Sequence, residues 1–324
     1  MTKKERVRKA IQFDNPDRIP VYHFNYNRPV GDILCYGLSL QKDGVNEWGF
    51  KWKTMNDGTM GQPEDPVIRE WAQYPRYKVP ELRAEERLSN LEAFMELVDG
   101  HYLLAGIGLT GFNKYTFIRG FENSMIDFLV EPQKSNDLFD RIIEFEKQMI
   151  VLAAENGFDG VHFADDWGTQ NSLIISPAIW RDKFKPRYQS QFGLAHRLGL
   201  HVWFHSCGNI DAIIPDFHEI GVDVMNISQP NVVNIEHIGK QLKGKQCFMV
   251  PISYQTVSIS GTREEILSEG QRLFNALGTE RGGFIGYVEE YSSVGMTMEN
   301  YQATIDAFES LTFSSSVSKQ QSQI

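Results

Sequence analysis

The chain has 324 residues, 41% of them hydrophobic, with 21 Phe, 12 Tyr and 6 Trp, enough to bury a sizeable core at roughly 1.5–3 kcal/mol per large apolar side chain. A formal net charge of −10 without any basic stripe excludes functions that rest on neutralising phosphates, so no nucleic-acid partner is expected. Three widely scattered cysteines, Cys35, Cys207 and Cys247, make no disulfide framework and point to a reducing compartment.

Met1 to Phe13 is basic and helical in pattern, with Val7 and Ile11 between Lys and Arg. It lacks the apolar stretch of a secretory signal, and no run of about 18 apolar residues follows anywhere, so a cytoplasmic protein with no membrane contact is expected. Arg18–Phe24 is the first strand candidate. Residues 30–95 are less regular, with an aromatic, turn-rich stretch from Trp48 to Trp52 and Gly58 to Gly61. They read as an N-terminal elaboration that hides one further strand.

From about residue 100 the pattern repeats: a short apolar run, a loop, then an amphipathic stretch. The runs are His101–Gly106, Gly160–Ala164, Leu200–His205, Val222–Ile227, Gln246–Pro251 and Gly283–Val288, each short enough for a buried parallel strand. Ser135 to Asn156 lines up Leu138, Ile142, Phe145, Met149 and Leu152 on one helical face, with Gly157 as a stop. Ser176-Pro177 opens a helix that breaks near Pro186, and Thr262 to Glu265 is a capping box for a helix ending near Gly278. Such alternation makes a parallel sheet, doubly wound or closed. The last residues, Ser314 to Ile324, are Ser- and Gln-rich with little to bury, and are expected to be disordered.

Three strand ends carry chemistry. In Phe204-His205-Ser206-Cys207-Gly208-Asn209, residues two apart share a side of the strand, and the Gly-Asn turn places His205 and Cys207 at its C-terminal end. Imidazole beside thiolate is a donor pair that suits zinc, against the alternative of a buried histidine and an inert core cysteine. Gly160–Ala164 runs into Asp165-Asp166-Trp167-Gly168-Thr169-Gln170. Adjacent residues face opposite ways, so one of the two aspartates should enter the central cavity as a general base, ligand or acceptor. The other bland alternative is a turn cap. The last strand ends in Glu289-Glu290, a missing ligand or a solvated pair. Gly106-Ile107-Gly108-Leu109-Thr110-Gly111 fits G-x-G-x-x-G. Phe112 to Arg119, aromatic and β-branched, shows no helical start, so a dinucleotide site is not expected.

The chain resembles the uroporphyrinogen decarboxylase superfamily, particularly its cobamide-methyltransferase-like branch, over most of residues 1–310. The resemblance rests on Arg6–Pro20, Arg119-Gly120, Asp165 to Gly168, His205 to Asn209, Gly261 to Ile266, Gly282 to Ile285 and Glu299-Asn300. It implies a (β/α)8 TIM barrel over residues 1–312, leaving 313–324 as the tail, with the site at the C-terminal mouth. The family's decarboxylases grip a polyanionic tetrapyrrole with a paired-arginine segment after the first strand. Here that place holds His23 to Pro29 with Arg28 alone, which disfavours that substrate.

The family's methyltransferases hold zinc with His-x-Cys plus a cysteine after the final strand. His205 and Cys207 match the first two ligands, and the third position falls at Glu289. The resemblance therefore implies a zinc-dependent methyltransferase-like enzyme acting on a small methylated compound, with corrinoid carried by a partner protein. Asp166 or Asp165, with His205, would move protons. Trp167, Gln170, Asn226, Gln229, His162 and Arg119 would contact substrate, and the tryptophans Trp167 and Trp203 would suit an aromatic methyl ether. A metal-free decarboxylase of a smaller acid and a non-catalytic binding barrel are the alternatives.

Overall fold

The computed structural model describes residues 1–24, 30–40, 45–53 and 61–311; the expected tail and Arg28 lie outside them. Eight strands form one sheet: β1 (Val21–His23), β2 (Ile33–Gly37), β3 (Tyr102–Leu109), β4 (Gly160–Ala164), β5 (His201–Ser206), β6 (Val224–Ile227), β7 (Cys247–Pro251) and β8 (Phe284–Val288). Their order is β1-β8-β7-β6-β5-β4-β3-β2, and each paired neighbour is parallel. With helices outside and β1 returning beside β2, the architecture is a nearly closed (β/α)8 barrel. β2 is the strand hidden among residues 30–95.

Alternation along the strands sorts side chains into two cores. Tyr22, Ile33, Tyr102, Leu104, Trp203, Val224, Met249 and Ile285 fill the lumen, while the opposite faces pack under the helices. The N-terminal helix Lys3–Ile11 plugs the lower end by adding Val7 and Ile11 to the lumen cluster. It is pinned there by Lys4 N–H to Gly100 O at 2.7 Å and Gly283 N–H to Ala10 O at 2.8 Å. The open end is therefore the C-terminal one.

The seam between β1 and β2 depends on one buried carboxylate. Asp32 is fully buried and accepts from Arg6 at 2.7 Å, from Arg18 at 2.8 and 2.9 Å, and from the Val21 N–H at 2.9 Å. Asp32 N–H returns a bond to Val21 O at 2.9 Å.

Several helices follow their sequence signals. Ser176 caps Pro177–Lys183, and the chain breaks at Phe184 before Lys185–Arg197. Thr262 and Glu265 form the expected capping box on Arg263–Leu277. The stretch expected to be non-helical is a correction: Gly111–Arg119 is an α-helix. Its intrinsic propensity is poor, but Phe112, Tyr115 and Ile118 are wholly buried and its first amides are capped by distant carboxylates, described below. The aromatic elaboration packs on these helices, with Trp48 edge-on to Phe145 at 4.9 Å and Phe50 edge-on to Phe117 at 5.3 Å. Among the described residues no helix is long and apolar enough to cross a membrane.

Replacing Asp32 by Ala leaves Arg6 with Asp17 alone and strips the buried Val21 N–H of its acceptor, loosening the β1–β2 seam. A loss of about 1–3 kcal/mol is expected in urea unfolding, with Arg18→Ala, a half-exposed partner, costing less.

Candidate functional site at the barrel mouth

The site is assembled by a contact between two loops, one after β4 and one after β5. Gly168 and Gly208 meet backbone to backbone. A Cβ on Gly168 would lie 2.5 Å from Asn209 N, and one on Gly208, at φ +78°, would lie 2.2 Å from the Gly168 carbonyl carbon. Only glycine permits this approach at either position. The loops are then laced by Gly168 N–H to Cys207 O at 3.1 Å and Asn209 N–H to Thr169 O at 2.7 Å. Cys207 N–H donates to Asp166 Oδ1 at 2.8 Å, and Gly208 N–H to Gln229 Oε1 at 2.7 Å.

This lacing brings three donor atoms together. Cys207 Sγ lies 3.5 Å from His205 Nε2, and Asp166 Oδ1 lies 3.7 Å from the same nitrogen. Among the described residues, Asp166, His205 and Cys207 are the one group of three potential ligands whose donor atoms all lie within 4.8 Å of one another. His205 Nδ1 meets Asn226 Oδ1 at 2.6 Å, and Asn226 Nδ2 donates to Met249 O at 2.9 Å. That carbonyl can only accept, so the amide's orientation is fixed and His205 Nδ1 must be the donor. Nε2 is left facing the thiol. Burial opposes a charge on His205, but the Cys207 sulfur, Asp166 and Asn226 outweigh it and push its pKa up to about 10.

The donor set fits zinc. Tetrahedral zinc with bonds of about 2.0–2.1 Å to nitrogen and about 2.3 Å to sulfur separates the two donors by about 3.6 Å, close to the 3.5 Å found. A histidine whose other nitrogen is tied to an amide is the usual outer support of such a ligand.

The two aspartates part company. Asp166 stands at the mouth, about a third exposed. Asp165 is fully buried and caps the helix Gly111–Arg119, accepting from Phe112 N–H and Asn113 N–H at 2.8 Å each and from the Tyr188 hydroxyl. Glu146 takes the next amide, Gly111 N–H, at 2.8 Å and Gln191 Nε2 at 2.7 Å. These carboxylates occupy the anion-binding end of the helix that the glycine motif opens. Burial raises both pKa values, Asp165 well above the ordinary range and Glu146 to about 7.

Glu289, at the end of β8, accepts from the Tyr287 hydroxyl at 2.7 Å and Glu290 N–H at 3.2 Å. It lies outside the three-residue group, and burial raises its pKa against the opposing influence of those bonds and of His205. His162 faces His205 edge-on, ring centres 6.1 Å apart. Burial, then the His205 charge, lowers its pKa to about 3, and its buried Nε2 has no partner.

The remaining candidates are placed elsewhere. Trp167 is fully buried, stacked on Phe112 at 4.6 Å, and Trp203 lies in the lumen with Nε1 on the Tyr102 hydroxyl; neither offers a face to substrate. Arg119 is buried, chelating Asp127 at 2.7 and 3.0 Å and stacked over Trp71. Gln170 sits in an exposed turn. Sequence reasoning missed Ser228 and Tyr254, which are joined by a hydrogen bond beside Cys207. Ser228 follows Asn226 by two on the same strand end, a signal that was available; Tyr254 had none.

The model of the family described as uroporphyrinogen decarboxylase matches residues 54–311 of the chain. A methyltransferase from Methanosarcina mazei has the same fold at TM-score 0.71 and 12% identity, covering 95% of this chain and 98% of that one. A B12-independent methionine synthase from a Shewanella species, in complex with selenomethionine, aligns at TM-score 0.50 and 9% identity, over 82% and 74%. No curated protein matches by sequence.

Glu146 gives the site a pH signature. Its pKa rises on folding from the ordinary 4.5 to about 7, so in that window the unfolded chain binds fewer protons and stability falls as pH rises. Glu146→Gln keeps an acceptor for Gly111 N–H and mimics the protonated acid. The melting temperature of this variant should decline less between pH 4.5 and 7 than that of the unaltered protein. The difference is on the order of 3 kcal/mol at most, and parallel curves would rule the assignment out.

Proposed function

The chain belongs to the uroporphyrinogen decarboxylase family, and from that premise we propose that it is a zinc-dependent methyltransferase-like enzyme acting on a small methylated compound, with a corrinoid carried by a partner protein as the methyl acceptor. The observation that carries this reading is the convergence of His205, Cys207 and Asp166, with the His205–Cys207 separation close to that of two zinc ligands. The names of the two structural neighbours, a methyltransferase and a methionine synthase, support methyl transfer over decarboxylation.

His205 offers Nε2 in the tautomer that Asn226 selects. Cys207 offers its sulfur, and its own backbone N–H holds Asp166 in place as third donor. Three protein donors leave a position for substrate, and zinc there supplies the Lewis acidity that lowers a thiol's pKa or polarises an ether oxygen. Glu289 is the second carboxylate at the mouth, either completing the shell in the place the family resemblance gives it or holding a proton for the departing oxygen. His162, with its unpartnered buried Nε2, is a neutral hydrogen-bonding group for substrate or its bound water.

Metal analysis of the purified protein should find about one equivalent of zinc. His205→Ala and Cys207→Ala should lose it. Asp166→Ala should also release it while Glu289→Ala retains it, and the reverse pattern would move the third ligand to Glu289. Asn226→Ala should weaken zinc binding about 10–100-fold. Less than about a tenth of an equivalent, with no gain on adding zinc, rejects the proposal. Release of carbon dioxide from an acid by that metal-free protein would favour the decarboxylase. With zinc present, corrinoid-dependent demethylation across a panel of methyl donors identifies the substrate.

A further inference from the structure

A second layer of groups lies behind the sulfur of Cys207. Cys207 Sγ is 3.7 Å from Ser228 Oγ, at the end of β6, and Ser228 Oγ is hydrogen-bonded to the Tyr254 hydroxyl, from the loop after β7. Ser228 is buried at 3% exposure. With no metal bound, the Cys207 thiol is the donor to Ser228 Oγ. As a zinc-bound thiolate the sulfur could only accept; the Ser228 proton would then turn to it and Ser228 Oγ would accept from Tyr254, giving the row one polarity: Tyr254 O–H to Ser228 Oγ, Ser228 O–H to the Cys207 sulfur.

The row answers a chemical problem that the proposed reaction creates. A thiolate beside an activated methyl donor is itself a nucleophile. Attack by Cys207 would form an S–CH3 bond, break the bond from methyl to its leaving group, and send that group away with the electron pair, leaving the protein alkylated. A donated hydrogen bond withdraws charge from sulfur and slows such attack. We infer that Ser228 and Tyr254 are positioning residues that hold a hydrogen bond on the Cys207 sulfur and suppress its self-alkylation, directing the methyl group to the intended acceptor. The inference rests on the zinc reading for its purpose, and on the two hydrogen bonds for its geometry.

The test is peptide-resolved mass spectrometry of iodoacetamide labelling, on protein with and without added zinc, with zinc content measured on the same samples. Cys247 is buried and Cys35 has its thiol pushed up to about 11 by burial, so both serve as internal controls. Ser228→Ala should speed Cys207 labelling of the zinc-loaded protein by about threefold to tenfold, the range of roughly one hydrogen bond in a rate. Ser228→Thr, which keeps the hydroxyl, should restore the original rate. Tyr254→Phe should act in the same direction but more weakly, and the double variant should label no faster than Ser228→Ala alone, because Tyr254 acts through Ser228.

Cobalt-substituted protein gives a second readout. The sulfur-to-cobalt charge-transfer band should shift in Ser228→Ala and Tyr254→Phe, which a purely structural role would leave in place. Full zinc occupancy with unchanged labelling and an unmoved band overturns the inference while sparing the metal site. Additive effects in the double variant overturn the ordered row. No zinc rejects the metal site and, with it, the hydrogen bond donated to sulfur that the inference requires.

Discussion

Everything chemical at the mouth of this barrel depends on two glycines touching. β4 and β5 are adjacent, but a strand pair only sets its own side chains in register: Ala164 lies beside His205. Asp166 is two residues past the end of β4, where nothing in the ladder dictates its direction. The contact of Gly168 with Gly208 draws the two loops together closer than any side chain would allow. Only then can the Cys207 N–H reach Asp166 Oδ1 and turn that carboxylate toward the His205–Cys207 pair. The constraint is steric, and it acts through backbone, so it sets donor spacing more rigidly than a flexible side-chain contact could.

The two aspartates show how one loop serves fold and chemistry at once. Asp165 turns back into the protein, where it and Glu146 cap the helix Gly111–Arg119. Asp166, one residue on, turns to the mouth. The loop is held from behind by the helix that Asp165 caps, and Asn113 of that helix accepts a bond from the Asp166 N–H. A buried, fully engaged carboxylate fixes the position of its exposed neighbour. The strength of the anchor comes at the expense of burying two acidic groups, which is why both carry raised pKa values.

Much of the barrel was legible because its strands are buried on both faces and read as short apolar runs; Gly160–Ala164 was read to the residue. β2, in Ile-Leu-Cys-Tyr-Gly, is as long as β4, and its turn-rich surroundings are what concealed it. The helix Gly111–Arg119 was illegible for a different reason: its caps, Asp165 and Glu146, come from elements far along the chain, while its own residues favour extended structure. His205 and Cys207 could be paired from strand alternation alone. The carboxylate that joins them could not, because Glu289 and Asp166 sit at equally plausible strand ends and the choice turns on a loop-to-loop contact. Trp167 looked like a substrate wall in sequence, yet the same loop folds its ring beneath itself, against Phe112, Trp180 and Phe184.

The histidine gives the last step. An imidazole can present either nitrogen, and an amide can present either end, so a His–Asn pair alone specifies nothing. Here the far end of Asn226 meets a backbone carbonyl, which has no proton to give. That single acceptor orients the amide, the amide orients the proton on Nδ1, and the lone pair of Nε2 is delivered to the point where sulfur and carboxylate converge. Proton and cation compete for that nitrogen. The same neighbours that raise the His205 pKa, the Cys207 sulfur and the Asp166 carboxylate, are those that would hold a divalent cation, whose charge is double and which can bond to all three donors at once. The arrangement holds that proton firmly, and a divalent cation binding there would have to displace it.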